Sequence, residues 1–142
     1  MARSHVKALL RKAFRFEQVQ VDEDGDVPMP CGTAMVYASV IGRGRLVRVW
    51  SRAAAGVKPT KAVLREVNDA NIAAGVARVY AQHDAIWVEG HFPVEGLRPK
   101  DLKQLCTEVG DLADHLGQLI TTVHGGTVTF PRSADVASEG ES

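Results

Sequence analysis

Residues 99–126 read PKDLKQLCTEVGDLADHLGQLITTVHGG, and this stretch decides the fold. Its large apolar side chains recur at alternating steps of three and four residues, the spacing of one face of an α-helix. Pro99 stands near the start of the pattern and Gly125-Gly126 follows its end, as is common at helix termini. The pattern predicts a helix over about residues 100–123 that covers a sheet or another helix; a short coiled-coil seam is the alternative. The stripe comprises Leu102, Leu105, Val109, Leu112, Leu116, Leu119 and Val123, widened on one side by Cys106, Ala113 and Ile120.

Two pairs of β-rich runs precede this helix, and a short turn joins the members of each pair. Glycine, histidine and aspartate in such connections tolerate the backbone conformations that a chain reversal needs. Both pairs therefore predict β-hairpins. The first pair is 34–41 with 45–51 around Gly42-Arg43-Gly44, and the second is 76–81 with 85–92 around His83-Asp84.

The remaining segments predict two more helices and one more strand. Residues 4–14 show helical spacing of apolar residues, and residues 16–21 alternate as a strand does before an acidic turn at 22–26. Pro28 and Pro30 then favour an irregular or edge segment. A helix is predicted over about residues 60–74, with Thr60 as its N-cap.

The predicted order is α-β-β-β-α-β-β-α. Hairpin-connected strands and few helices favour an α+β fold, in which helices pack mainly on one face of a five-stranded antiparallel sheet. We expect one domain over residues 1–130, followed by a disordered polar tail over residues 131–142.

Length and charge narrow the class of protein. A chain of 142 residues is long enough to bury a core without a metal or a disulfide. Seventeen basic residues balance seventeen acidic ones, which argues against a nucleic-acid binder. No apolar run is long enough to cross a membrane and no signal-peptide core is present, so we expect a cytoplasmic protein without a membrane partner. Cys31 and Cys106 show no metal-ligand spacing and are expected to be reduced thiols.

The charges are nevertheless divided unevenly along the chain. Residues 1–65 carry twelve Lys/Arg against five Asp/Glu, whereas residues 66–142 carry five against twelve. Two oppositely charged surfaces that attract each other within one fold would explain this division. Head-to-tail pairing between copies, or a basic patch for an acidic partner, would explain it as well.

No group of residues in the sequence forms a catalytic or metal-binding pattern. The acidic turn at 22–26 begins like a calcium loop, but Val27 and Thr33 stand where an EF-hand needs glycine and glutamate. Asp111 and His115 are one helical turn apart, a spacing that fits a surface pair better than a metal site. Phosphate-binding and nucleophile motifs are absent from the sequence. We therefore expect a protein that is not an enzyme and has no cofactor or metal.

Asn68 and Asn71 stand out in the second predicted helix, because asparagine competes for backbone hydrogen bonds and is a mediocre helix former. The simplest interpretation is that a side-chain amide satisfies backbone groups of the following segment. A ligand contact is the alternative.

Strand alternation predicts a second, chemically distinct face of the sheet. If Val47, Val49, Ile86 and Val88 face the helices, large aromatic rings and arginines lie on the face without helices. Such residues are enriched in protein interfaces, although arginine stems covering isolated rings on a solvated sheet would give the same pattern. The predicted partner-binding residues are Leu46, Arg48, Trp50, Arg78, Tyr80, Trp87, Glu89 and His91.

The layout resembles the YbjN-like family within the type III secretion chaperone-like superfamily, also described as CesT- or YbjN-type peptide-binding chaperones. The resemblance extends over about residues 5–126. It rests on a first helix that runs into Phe14-Arg15-Phe16, the acidic turn, the helix segment 63–71 with its two asparagines, the hairpin through Ile86-Trp87-Val88-Glu89, and the long last helix.

The resemblance implies a small bacterial cytoplasmic protein, often dimeric and without enzymatic activity. Secretion chaperones of the superfamily bind extended segments of partner proteins on apolar surface patches. The expected function is therefore a non-enzymatic module that binds a protein or peptide client. The alternative is a regulatory or sensory protein that acts through oligomerisation or a small ligand.

Overall fold

A computed structural model describes residues 2–14 and 26–131, and its elements follow the predicted order. The architecture is α+β, with an antiparallel sheet in the strand order β1-β2-β3-β5-β4. The elements are α1 (Ala2–Phe14), β1 (Val27–Cys31), β2 (Ala34–Ile41), β3 (Leu46–Ala55), α2 (Lys61–Ala73), β4 (Arg78–Gln82), β5 (Ala85–Pro93) and α3 (Pro99–His124).

The first strand of the sheet is the proline-containing segment β1. The strand predicted over residues 16–21 lies outside the described residues. Among the described residues β1 is an edge strand that pairs only with β2, and this position accommodates Pro28 and Pro30. Every second residue of an antiparallel strand points its backbone nitrogen away from the partner, so two prolines two residues apart can both occupy such positions.

Both predicted hairpins are confirmed. β2 pairs with β3, and β4 pairs with β5 through a two-residue connection of His83 and Asp84. Both connecting residues have φ of 54°, the left-handed conformation that a tight hairpin requires. Helix α2 carries the chain from β3 past β5, so that β4 becomes the second edge of the sheet.

The helices form a layer on one face of the sheet. α3 lies across β2, β3 and β5, while α1 packs against α3 and β2, and α2 packs against β4 and α3. Most of the apolar stripe of α3 covers the sheet as predicted: Leu102, Leu105, Val109 and Leu116 are buried and Leu112 is half-buried, whereas Leu119 and Val123 near the end of the helix are exposed.

Two glycines of α3 allow the helix to lie directly on the sheet. A Cβ at Gly110 would lie 2.7 Å from the Cys31 sulfur, and a Cβ at Gly117 would collide with the Ala53 carbonyl oxygen. Ala53 is the extra residue of a β-bulge between Arg52 and Ala54. The bulge and the missing side chain together set how closely α3 approaches β3.

Two acidic side chains of α3 accept hydrogen bonds from loops next to the sheet. Asp114 Oδ1 accepts hydrogen bonds from the Thr33 backbone N–H at 2.7 Å and from the Thr33 hydroxyl at 2.6 Å, in the β1–β2 turn. Glu108 accepts the N–H groups of Gly75, Val76 (2.9 Å) and Ala77 (3.2 Å), between α2 and β4. Both loops are thereby fixed to the same helix.

The structure also bears on the expectations about the thiols, the cap of α2, a membrane span and the C-terminal tail. Cys31 and Cys106 are free thiols, and Thr60 caps α2 by accepting the Val63 N–H at 3.2 Å. Among residues 2–14 and 26–131, no helix is long and apolar enough to cross a membrane. Apart from Pro131, the tail predicted over residues 131–142 lies outside the described residues.

Candidate functional site

The sheet surface turned away from the helices, here called the outer face, carries all eight residues predicted to bind a partner. Strand pairing arranges its side chains in rows across the sheet, since directly opposed residues point the same way. The first row contains Met35, Arg52, Trp87 and Tyr80; the second Tyr37, Trp50, Glu89 and Arg78; the third Ser39, Arg48 and His91; the fourth Ile41, Leu46 and Pro93.

Glu89 lies at the centre of the outer face and is bracketed by two arginines. Arg48 Nε donates to Glu89 Oε2 at 2.7 Å, and Arg78 Nε donates to Glu89 Oε1 at 2.9 Å, with a further contact from Arg78 Nη2. Only 3% of Glu89 is exposed. Burial opposes ionisation of this carboxyl, but the hydrogen bonds from Arg78 and Arg48 outweigh it and hold its pKa below the ordinary value.

Each of these arginines also lies over an aromatic ring. The Arg48 guanidinium carbon is 4.6 Å from the Trp50 ring centroid, and that of Arg78 is 5.8 Å from the Tyr80 ring. Burial and the nearby Glu89 charge raise the pKa of Tyr80, so its hydroxyl stays protonated at neutral pH. The contacts with ring and carboxylate fix the position of both guanidiniums on the outer face.

A cleft of about 340 Å³ opens beside this charged cluster. Trp50 stacks on Tyr37 with ring centroids 5.3 Å apart, and the indole N–H of Trp87 donates to the Gln82 carbonyl at 3.0 Å. These contacts orient rings that remain half-exposed at the surface. The cleft is lined by Asp26, Met35, Tyr37, Trp50, Arg52, Trp87 and Thr129.

The structure divides the eight predicted residues into two groups. Six form the charged cluster and the adjoining aromatic surface: Arg48, Trp50, Arg78, Tyr80, Trp87 and Glu89. His91 lies opposite Arg48, while Leu46 lies opposite Pro93 at the far end of the face. Glu89 differs from the others because it is buried beneath the arginines, so its direct effect is to position them.

Five of the residues that line the cleft were not among those predicted from the sequence: Asp26, Met35, Tyr37, Arg52 and Thr129. The alternation of residues in β2 could have placed Met35 and Tyr37 opposite the buried Val36 and Ala38. Arg52 follows the same alternation as Arg48 and Trp50, but the predicted strand ended at residue 51, whereas β3 continues to Ala55.

A second concave surface lies between α2 and α3, with a volume of about 540 Å³. Alanine and leucine side chains line it together with the acidic residues Glu66, Asp69, Glu108 and Asp111. His115 also lines it, but Asp111 and His115 are both exposed, and Asp111 lies 3.8 Å from the Cys31 thiol. Within the described residues, no three histidine, cysteine or acidic side chains converge as metal ligands.

A comparison against protein families identifies the family of this chain. A family model described as "T3SS (YopN, CesT) and YbjN peptide-binding chaperone 1" matches residues 1–132. The chain belongs to this family. The resemblance inferred from the sequence is thereby confirmed, whereas no curated protein matches the sequence.

Solved structures show that this family member shares its fold with type III secretion chaperones. The Yersinia pestis secretion chaperone SycH, solved with a stable fragment of YscM2, is 14% identical, with a TM-score of 0.62 over 82% of this chain and 99% of the other. A chain of the HopA1–SchA chaperone–effector complex is 14% identical, with a TM-score of 0.64 over 83% and 97%. A chain of the ExsC–ExsE complex is 11% identical, with a TM-score of 0.63 over 82% and 94%.

Proposed function

We propose that the protein is a non-enzymatic chaperone that holds an extended segment of a client protein on the outer face of its sheet. The observation that carries this proposal is the aromatic cleft beside the paired arginines, on the side that no helix of residues 2–14 or 26–131 covers. Membership of a peptide-binding chaperone family supports it. The complexes of the similar structures, in which chaperones are bound to effectors or fragments, support it as well.

The chemistry of the outer face suits a protein segment better than a reacting substrate. Trp50, Trp87 and Tyr37 offer large apolar area with fixed orientation, and arginine guanidiniums offer several hydrogen-bond donors each. Rings of this size left in water over a contiguous surface favour aggregation unless a partner covers them. Binding and protection of a client segment is the function that uses all of these groups.

We also propose that the protein forms a homodimer in the cytoplasm of a bacterium. Leu64 and Ile72 on α2 are 47% and 77% exposed, and a spacing of eight residues places both on one side of the helix. The exposed Asn68 lies between them. A second copy covering this stripe would leave the outer face free for a client, and free thiols fit a reducing compartment.

A regulator that binds a small ligand is the second candidate, favoured by the groove between α2 and α3. Its alanine and leucine side chains, together with acidic residues such as Glu66 and Asp69, would suit a cationic amphipathic molecule. The groove and the outer face lie on opposite sides of the sheet, so substitutions can separate the two functions.

The test is affinity capture from extract of the source bacterium with wild-type protein, a Trp50→Ala/Trp87→Ala double variant and a Val123→Ala control. Val123 is 61% exposed on α3, so this control also removes an exposed apolar side chain. We expect one dominant client with wild type and control, and loss of that client with the double variant. Equal capture by all three proteins would contradict binding on the outer face. Circular dichroism verifies that each variant is folded.

Self-association has a separate measurement. Sedimentation should show a dimer for wild type and the tryptophan variant, and a monomer for Ile72→Asp. A monomeric wild type would contradict the dimer, and a dimeric Ile72→Asp would contradict the α2 interface.

A further inference from the structure

The charged cluster of the outer face retains an excess of positive charge. Arg48 and Arg78 share the single carboxylate of Glu89, and Arg52 lies on the next row beside the cleft. The Arg78 side chain is 67% exposed and that of Arg48 is 29% exposed, whereas the Glu89 side chain is 4% exposed. Guanidinium N–H groups therefore face the solvent while the compensating carboxylate is covered. Among the described residues that line the cleft, Asp26 is the acidic one.

The guanidiniums are held in place before any ligand arrives. Glu89 bonds to both of them from below, and Trp50 and Tyr80 contact their faces. Each guanidinium has five donors in a fixed plane, and only some of them are used by Glu89. Because little side-chain entropy remains to be lost, this pair is prepared to accept a further carboxylate.

The cleft and the arginine pair are offset by two residues along the strands of the sheet. Trp87 and Glu89 are two residues apart on β5, as are Trp50 and Arg48 on β3. Two residues of a strand span about 6.6 Å, and side chains two apart point to the same side. A peptide laid along these strands with an apolar side chain in the cleft therefore places the side chain two residues away over the arginine pair.

From this register we propose that the outer face recognises client segments in which an apolar residue and an acidic residue are separated by one residue. The apolar side chain enters the cleft between Trp50 and Trp87, and the carboxylate bonds to Arg78 and Arg48. This specificity rests on the proposed function of the outer face and adds the chemical class of the segment that it binds.

The experiment uses the tryptophans as reporters, because the two in the chain, Trp50 and Trp87, both line the cleft. Synthetic peptides of one length carry a central Leu-Ser-Glu, the reverse Glu-Ser-Leu, a Leu-Ser-Gln control, or adjacent Leu-Glu. Titration followed by tryptophan fluorescence gives the dissociation constant of each. We expect one of the first two peptides to bind about tenfold more tightly than the glutamine and adjacent peptides.

A substitution in the protein tests the contact between the peptide carboxylate and Arg78. Arg78→Gln should reduce binding of the glutamate peptide to the level of the glutamine peptide. Arg98→Gln is the matched control, since the Arg98 side chain is 70% exposed and is likewise paired with a carboxylate, that of Asp101. It should leave both dissociation constants unchanged.

The outcomes separate the specificity from the proposed function. Equal binding of all four peptides overturns the apolar–acidic spacing and leaves client binding on the outer face intact. Tighter binding of the glutamate peptide that persists in Arg78→Gln overturns the assignment of the carboxylate to this pair. No fluorescence change with any peptide overturns the spacing, while client capture that still depends on Trp50 and Trp87 would preserve the proposed function.

Discussion

The side-chain amide of Asn71 pairs with the backbone of Val79 as a neighbouring strand would. Its Nδ2 donates to the Val79 carbonyl at 2.8 Å, and its Oδ1 accepts the Val79 N–H at 2.7 Å. Val79 belongs to β4, an edge strand whose outer backbone groups have no strand of residues 26–131 beside them. The asparagine thus satisfies two groups of the sheet edge and fixes α2 to it, which confirms the structural interpretation of this residue.

Replacing Asn71 with alanine should lower the free energy of unfolding by about 1–3 kcal/mol, because both Val79 groups lose their partner. Urea denaturation measures the change. Arg65→Ala is the control, since Arg65 is exposed on the same helix, and it should stay within about 0.5 kcal/mol of wild type. Equal losses for the two variants would contradict the bridging role.

The ion cluster at Glu89 predicts a pH dependence of stability. Because the folded pKa of this carboxyl lies below its ordinary value of 4.5, its contribution is present above pH 4.5 and is lost as the pH falls through the folded pKa. Glu89→Gln should therefore be less stable than wild type at pH 7 and show a smaller loss between pH 5 and acid. Urea titrations at several pH values measure this difference. Parallel pH profiles for the two proteins would rule out the cluster as its source.

Truncation of Leu105 and of Leu112 to alanine should lower the free energy of unfolding by different amounts, although the leucine stripe alone predicts the same loss for both. Leu105 is fully buried against Gly90, so Leu105→Ala should cost about 2–5 kcal/mol. Leu112 is half-buried in the α2–α3 groove, and its truncation should cost about half as much. Thermal and urea unfolding of the two variants provide the comparison, and a larger cost at Leu112 would show that the groove is closed in solution.

The two thiols should react slowly with iodoacetamide, and at different rates. Burial raises the pKa of Cys106 to about 12, and burial together with the neighbouring Asp111 raises that of Cys31. Mass spectrometry at pH 8 should find Cys31 modified first and Cys106 modified mainly after unfolding. Asp111→Asn should accelerate alkylation of Cys31 without changing that of Cys106. An unchanged rate at Cys31 would exclude Asp111 as a cause.

The elements that the sequence predicts well are those whose signal is local. α3 is recognised because its apolar stripe continues through all of Pro99–His124, and the β4–β5 hairpin because His83-Asp84 sits between two alternating runs. For β1 the sequence left two alternatives, an irregular segment or an edge strand, since its two prolines argue against a regular strand unless it lies at an edge. Edge position is a property of the whole sheet and is not encoded within five residues.

The outer face shows the same division between local and long-range information. Alternation placed Trp50, Tyr80 and Trp87 on one surface, because side chains of a strand point to opposite faces with period two. The burial of Glu89 could not be predicted in this way. It depends on arginines contributed by β3 and β4, and these strands meet Glu89 only when the sheet is assembled.

The attachment of two loops to α3 has a consequence for hydrogen exchange. Amide protons in exposed loops normally exchange with solvent through small local fluctuations. Here the amides of Thr33, Val76 and Ala77 donate hydrogen bonds to Asp114 and Glu108. They can exchange only when these hydrogen bonds break. Slow exchange at these loop positions, close to that of the amides within α3, would mark the helix and both loops as one cooperative unit that opens together.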